Sequence, residues 1–305
     1  MAGQPQLTIG MPVRNGASGV RVALDSLLAQ TYGDFKLVIS DNQSTDDTVA
    51  ICESYAARDP RVTVIKQPEN LGILGNFRFL LMQADTPYFM WACHDDYWAP
   101  TYAERNIANL EVNPQAIASC SQVEMIMPDG EHVASRGTRS LTGTPLERVY
   151  GFLQDPSDAS RAYAVFRTEA LKRSFPPDID VFGYDWVYLA YSLLEGDHLE
   201  VPEVLMSREA HPPDHYQRAI VRTLPRAVDR WWPLAGMTAR LRKTLPPEIW
   251  RACRMRMLRQ NLIQTLGYAR FRFPVVAPVV AAIAATEKTL APWKREAPAR
   301  PSLDG

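Results

Sequence analysis

Short apolar runs alternate with longer amphipathic ones through the first hundred residues, and no other feature narrows the fold as far. Leu7–Val13 (LTIGMPV), Phe35–Ser40 (FKLVIS), Val62–Gln67 (VTVIKQ) and Tyr88–Cys93 (YFMWAC) read as buried strands. Between them, Gly19–Gln30, Asp46–Arg58 and Ile73–Ala84 space their apolar residues as helices do. Val22, Leu24, Leu27 and Leu28 mark the inner face of the first helix, and Ser44 or Thr45 is the expected cap of the second. Helices set between short apolar strands imply βαβ units, hence a mostly parallel sheet flanked by helices. The fold class is α/β.

In such sheets, ligands lie outside the carboxyl ends of the strands. Each strand here ends in polar residues: Arg14-Asn15, Asp41-Asn42, Asn70 shortly after the third, and Asp95-Asp96 after the fourth. Polar strand ends gathered on one edge favour a nucleotide or metal site over a set of unrelated turns. Two adjacent carboxylates repel each other, and an apolar run leading straight into them calls for a positive partner. Neither G-x-G-x-x-G nor G-x-x-x-x-G-K-[ST] follows the first strand, which weighs against a dinucleotide oxidoreductase and a P-loop NTPase.

The later chain is less regular. Ile117–Met127 reads as a strand, Arg161–Ser174 as a strand passing into a helix, Asp185–Gly196 as a helix, and Leu199–His215 as a strand followed by a Pro-rich loop. Charge then divides the chain. Residues 1–217 hold 16 Lys+Arg against 29 Asp+Glu, and residues 218–305 hold 17 against 5. An acidic body with a basic, helical tail suggests regions with different partners, or a solvated basic surface packed on the body. The 4 cysteines show no C-x-x-C spacing, as expected of reduced thiols, and the first residues carry no secretory signal. A cytoplasmic protein is expected.

Several segments resemble the family-2 glycosyltransferases, inverting enzymes of the GT-A fold that use nucleotide-sugar donors. Residues 11–51 are similar to the family's opening segment, with Pro-x-x-Asn at Pro12–Asn15, Ser-Leu-x-x-Gln-Thr at Ser26–Thr31, and Asp-x-x-Ser-x-Asp-x-Thr at Asp41–Thr48. NLGILGNF, HDDYW, GYDWVYLAYSL and MSREAH resemble, in order, the segment after the third strand, the metal-binding Asp-x-Asp, the helix bearing the catalytic base, and the late Arg-x-x-His element. The likeness covers roughly residues 7–215.

The resemblance implies a GT-A, Rossmann-like domain over 1–220, with a nucleotide-binding half (about 1–97) and an acceptor half (about 98–220), followed by a basic helical region over 221–305. Asp41 would hold the base of the nucleotide, with Pro12, Val13 and Asn15 lining that pocket and Asn70 and Gly72 bordering it. Asp95 and Asp96 would hold Mn²⁺ or Mg²⁺, joined by His211 with Arg208 nearby, and Asp95 would also face the nucleotide. Asp185 would be the general base, taking the proton of an acceptor hydroxyl. Plainer readings stand beside these: a turn at Asn70–Gly72, a helix cap at Asp185, and an Asp-Asp cap before Ala99–Leu110. The chain departs from the family pattern at two places. Cys93 stands where the family often has the first acid of Asp-x-Asp-Asp, and Tyr184 where an acid usually precedes the base.

The expected partners are a nucleotide-sugar, of UDP type, and a glycan or lipid-linked saccharide acceptor, as in cell-surface polysaccharide synthesis. Arg-rich segments with Trp, Met and Leu at helical spacing suggest contact with the inner face of a membrane. Phe273–Ala285 is apolar but too short to span one. No nucleic-acid module is recognisable. The rival reading is a catalytically inactive relative that still binds nucleotide. A nucleotidyltransferase fits less well, since VRNGASG (Val13–Gly19) is a faint phosphate loop.

Overall fold

A computed structural model describes residues 5–278, apart from 157, 180, 211–213 and 277. The elements run β1 (Leu7–Val13), α1 (Val20–Leu28), β2 (Phe35–Asp41), α2 (Thr48–Ala56), β3 (Val62–Lys66), α3 (Gly72–Gln83), β4 (Tyr88–Trp91), β5 (Asp96–Trp98), α4 (Tyr102–Val112), β6 (Ala116–Ile126), β7 (His132–Ala134), α5 (Pro145–Gln154), β8 (Val165–Arg167), α6 (Thr168–Ser174), α7 (Tyr184–Glu195) and β9 (Asp197–Glu209). Then come α8 (His215–Thr223), α9 (Ala235–Thr244) and α10 (Pro247–Arg272).

The first four major strands lie in the order β3-β2-β1-β4 and all pair in parallel, as successive βαβ units require. Every residue of β1 is buried, because helices cover both faces of the sheet. Beyond β4 the sheet becomes mixed. β8 joins β4 antiparallel, β6 joins β8 antiparallel, β9 runs parallel to β6, and β5 closes the edge antiparallel to β9. This is the curled α/β sheet that the sequence alternation implies.

The helix faces partly differ from the expected ones. In α1 the buried positions are Val20, Ala23, Leu24, Ser26 and Leu27, whereas Val22 is 59% exposed. Val22 lies about 200° around the helix from Val20, on the solvent side. Nor does Ser44 or Thr45 cap α2. Both are drawn to Asn15, and Asp46 takes the helix start instead, accepting from Thr48 N at 3.1 Å.

Beneath the carboxyl ends of the strands lies an aromatic floor. The Trp91 ring sits 5.0–6.4 Å from the rings of Phe77, Phe89, Phe166, Phe175 and Tyr188, and its Nε1 donates to the Phe77 carbonyl at 3.1 Å. On the far side of the sheet, β9 begins at Asp197, which pairs with buried Arg148 of α5 at 2.9 Å. β9 then slips against β6: Ser121 faces Val201, Gln122 faces Val204 and Val123 faces Met206. This irregularity lies just before Arg208.

The described residues form two compact units, one drawn from 5–210 and 236–257, the other from 214–235 and 258–278. In the first, α9 is tied down by a two-pronged pair of Arg240 with Asp178, and Arg256, in the third turn of α10, covers the Tyr150 ring at 4.9 Å. In the second, Trp231 packs edge-on to Tyr268 and stacks on Phe273, while Asn261 Oδ1 accepts from Leu234 N at 3.1 Å. No described helix is long and apolar enough to cross a membrane.

Candidate active site

At the end of β1, Asn15 adopts a left-handed backbone (φ 53°) and folds back on the loop after β2. Its Oδ1 accepts from Thr45 N at 2.8 Å, and its own N–H donates to Ser44 Oγ at 2.9 Å. Strand register sets Val13 beside Asp41 and Pro12 beside Ser40. Asp41 is buried at the last position of β2. One carboxylate oxygen accepts from Ser44 N at 3.1 Å, and the other, Oδ1, is buried with no hydrogen-bond partner among the described residues. A buried carboxylate oxygen without a donor is costly, so its place suits a ligand N–H.

Asn42 carries this edge to the third loop. Its Oδ1 accepts from Leu71 N at 2.8 Å and its Nδ2 donates to the Gly72 carbonyl at 3.0 Å. Asn70 closes its own turn by accepting from Gly72 N at 2.9 Å, and Gly72 sits at φ +72°, where a side chain would be strained. Below, Asn76 of α3 donates to the Ser40 carbonyl at 2.9 Å, and Gln67 donates to Ser40 Oγ at 2.8 Å. Asn76 and Gln67 are part of the frame that sequence reasoning missed, and Asn42, named there only as a polar strand end, is another. Asn42 and Gln67 directly follow β2 and β3, a signal the sequence carries, whereas Asn76 lies within α3 and has none.

The fourth strand does not run on into the acids. β4 stops at Trp91, the chain turns, and Asp96 opens a new strand, β5. The turn presses against the loop after β1: a Cβ on Gly19 would lie 2.8 Å from the His94 carbonyl oxygen. Asp95 is exposed and Asp96 buried. In the ladder Asp96 stands opposite Arg208 of β9, whose Nε donates to Asp96 Oδ1 at 3.3 Å. Arg208 also donates to Ser160 Oγ at 3.2 Å and to Tyr163 Oη at 3.3 Å, and lies 4.3 Å from the centre of the Tyr163 ring. This is the positive partner that the paired acids called for. Burial pushes Asp96 up to about 6, Arg208 pulls it back, and the charge of Asp95 adds to the rise. Asp96 Oδ2 is buried and has no partner among the described residues.

Ligand atoms of Cys93, Asp95 and Asp96 all lie within 4.8 Å of one another. With one carboxylate oxygen unpartnered and a second carboxylate at the surface, this donor set fits a divalent cation. Burial pushes the Cys93 thiol well above its usual range, with Asp96 and Asp95 adding to the rise, so the free thiol is neutral.

Asp185 lies in the first turn of α7, after Gly183 in the left-handed region (φ 81°). Burial pushes its carboxyl up to about 6, against hydrogen bonds from the Trp186 backbone N–H and its own. Burial also raises Tyr184 and Tyr188, and the charge of Asp185 adds to the rise of both. The structure thus gathers Pro12, Val13, Asn15, Asp41, Asn70 and Gly72 along one edge. Cys93, Asp95 and Asp96 form a second group, and Tyr188, about one turn after Asp185 in α7, packs on Trp91 just before that group at 5.5 Å between ring centres. His211 lies outside the described residues.

The model of the family described as "Glycosyl transferase family 2" matches residues 8–175, more than half of the chain. The chain belongs to glycosyl transferase family 2. An uncharacterized glycosyltransferase of Rickettsia typhi is 35% identical over 118 residues, which is 38% of this chain and 36% of that protein. The match therefore spans about a third of such a relative's length. Among solved structures, S. aureus TarS (residues 1–349) in complex with UDP-GlcNAc is similar with a TM-score of 0.57 at 15% identity, covering 88% of this chain and 91% of that one. A mannosyltransferase from Pyrobaculum calidifontis, solved with GDP-Man and Mn²⁺, gives 0.55 at 21% identity, covering 95% and 81%. At these identities the likeness speaks for the fold. In this glycosyltransferase-family chain, the matched segment contains the candidate residues from Pro12 to Asp96, whereas Asp185, Arg208 and His211 lie beyond it.

Proposed function

We propose that this chain is an inverting glycosyltransferase. It moves a sugar from a nucleotide-sugar, of UDP type, to a glycan or lipid-linked saccharide. The observation that carries this reading is the packing of Tyr188 of α7 on Trp91 at the end of β4, 5.5 Å between ring centres, which sets the helix turn bearing Asp185 against the strand end that leads into Cys93, Asp95 and Asp96. A proton acceptor in the first turn of α7 and the acidic cluster after β4 thus belong to elements that pack on each other. TarS and the mannosyltransferase were solved with a UDP-sugar and a GDP-sugar, which supports a nucleotide-sugar donor here.

In the proposed mechanism, Asp41 Oδ1 accepts an N–H of the base. The Asn15, Asn42 and Asn70 turns hold the loops that border the nucleoside. Asp95 and Asp96 would hold Mn²⁺ or Mg²⁺, which as a Lewis acid offsets the charge on the departing diphosphate. Asp185 accepts the proton of the acceptor hydroxyl as that oxygen attacks the anomeric carbon from the face opposite the leaving group. A carboxyl held near 6 is ionised at neutral pH yet basic enough for this task. We assign catalysis to residues 1–220.

The deciding experiment is release of nucleoside diphosphate from UDP-, GDP- and dTDP-sugars with Mn²⁺, with Mg²⁺ and with EDTA, in the presence of a lipid-linked acceptor extract. Metal-dependent release from one donor is the expected result. Nucleotide binding with no release under any condition would instead favour a binding module.

The pH dependence of kcat follows from Asp185. Its carboxyl is inactive when protonated, so kcat falls tenfold per pH unit below about 6 and is flat above it. A pH–rate profile from 4.5 to 8 checks this.

The basic second unit is proposed to rest on the anionic inner face of a membrane, which would place the enzyme in cell-surface polysaccharide synthesis. Arg222, Arg230, Arg270 and Arg272 accompany exposed Trp231, Trp232, Phe273 and Val275. Basic residues near an anionic surface contribute about 1 kcal/mol each. Co-sedimentation with phosphatidylglycerol vesicles, and not with phosphatidylcholine vesicles, is expected. Equal recovery in both pellets would argue against it.

A further inference from the structure

We propose that Cys93 is itself a metal ligand, so that the site is a mixed sulfur–oxygen one holding thiophilic divalent cations more tightly than Mg²⁺. The inference rests on the metal reading above and concerns which ion the chain selects. Cys93 Sγ lies within 4.8 Å of ligand oxygens of both Asp95 and Asp96. Cys52, Cys120 and Cys253 belong to no such group among the described residues. The second pointer to a ligand is Asp96, which is only 5% exposed and whose Oδ2 has no partner among the described residues.

The surroundings of the sulfur fit the role. Tyr163 Oη stands 3.3 Å from Cys93 Sγ and accepts from Arg208 at 3.3 Å, which leaves its hydroxyl proton free to donate to sulfur. Arg208 also donates to Asp96 Oδ1. One guanidinium therefore braces two of the three ligands, directly at Asp96 and through Tyr163 at Cys93. Outer partners of this kind orient ligands and tune the ion. When Sγ coordinates, its proton passes to solvent. A thiolate then favours cobalt, zinc or cadmium, whereas Mg²⁺ prefers oxygen alone.

The test uses the full chain with UDP present. Co²⁺ titration is followed by near-ultraviolet absorption, where a sulfur-to-cobalt charge-transfer band reports the Co–S bond. Calorimetry gives the affinities for Cd²⁺ and Mg²⁺. The parent should show the band, and Cys93→Ser should lose it. Cd²⁺ affinity should fall at least about tenfold in that variant while Mg²⁺ affinity stays within about threefold. Tyr163→Phe keeps the thiol and should weaken Cd²⁺ by roughly tenfold. Saturable Co²⁺ binding without the band in the parent overturns the sulfur ligand and leaves the oxygen site standing. Absence of saturable binding of Co²⁺, Cd²⁺ and Mg²⁺ alike overturns the metal reading as well. The parent spectrum decides the matter even if a variant fails to fold.

Discussion

Replacing Asp185 by asparagine lowers kcat by roughly 10²- to 10⁴-fold and leaves the affinity for nucleotide unchanged. The amide keeps the shape and the place in the first turn of α7 but cannot take a proton. Since Asp41 and the asparagine turns lie elsewhere in the site, ligand affinity has no reason to move. The same substitution raises stability. Burial holds the Asp185 carboxyl at about 6, above its ordinary value. The native protein therefore binds the extra proton, and the stability this gives is complete below the ordinary carboxylate range. It is lost as pH rises through about 6. At neutral pH the ionised carboxylate is a burden that asparagine removes, a gain of roughly 1–3 kcal/mol that vanishes near pH 4. Urea titrations of parent and variant at the two pH values, beside the kinetics, check both halves. A variant that loses activity and stability together would mean that Asp185 is chiefly a helix cap.

The second large effect is expected at Arg208. Substitution by methionine keeps the stem but strips the charge from a buried pair, leaving Asp96 without its partner on the opposite strand. Removing one member of a buried pair typically costs 3–5 kcal/mol, because the other charge stays buried and uncompensated. Most of that loss should return when Asp96→Asn is added to Arg208→Met. A double-mutant cycle by urea denaturation measures the coupling. Single losses that simply add would show that the pair does not act as a unit.

Much of the first half of this fold is legible in the sequence. Short apolar runs and periods of about 3.6 are local signals, and they place β1 to β4 and the helices between them within a residue or two. What fails locally is detail decided by neighbours. Val22 has the spacing of a core residue but emerges into solvent, because the phase of α1 is set by Val20, Ala23 and Leu27. Ser44 and Thr45 have the chemistry of caps, but Asn15, distant in sequence, claims them first.

The candidate site divides in the same way. Its parallel-sheet edge can be read from strand ends alone, since topology brings carboxyl ends together wherever βαβ units repeat. The Asp96–Arg208 pair cannot. The two residues are 112 positions apart and meet because β5 closes an antiparallel edge, a pairing that leaves no periodic trace. Tyr163 is equally silent. It lies in a short 3₁₀ turn, and only the fold shows that its hydroxyl stands between Cys93 and Arg208.

The slip in β9 has a consequence for how this protein can change length. From Val201 to Met206 the strand takes five steps while β6, from Ser121 to Val123, takes two. Side chains alternate along a strand, so parity downstream of the slip decides on which side Arg208 emerges. A single deletion at Pro202 or Glu203 that the ladder absorbed by re-pairing would invert that parity. It would turn the guanidinium away from Asp96 without altering any residue of the site. Length changes there that re-pair the strand by one residue therefore act as a phase control on the acidic cluster, and a shift of two restores the face but carries Arg208 about 6.6 Å along the strand from Asp96.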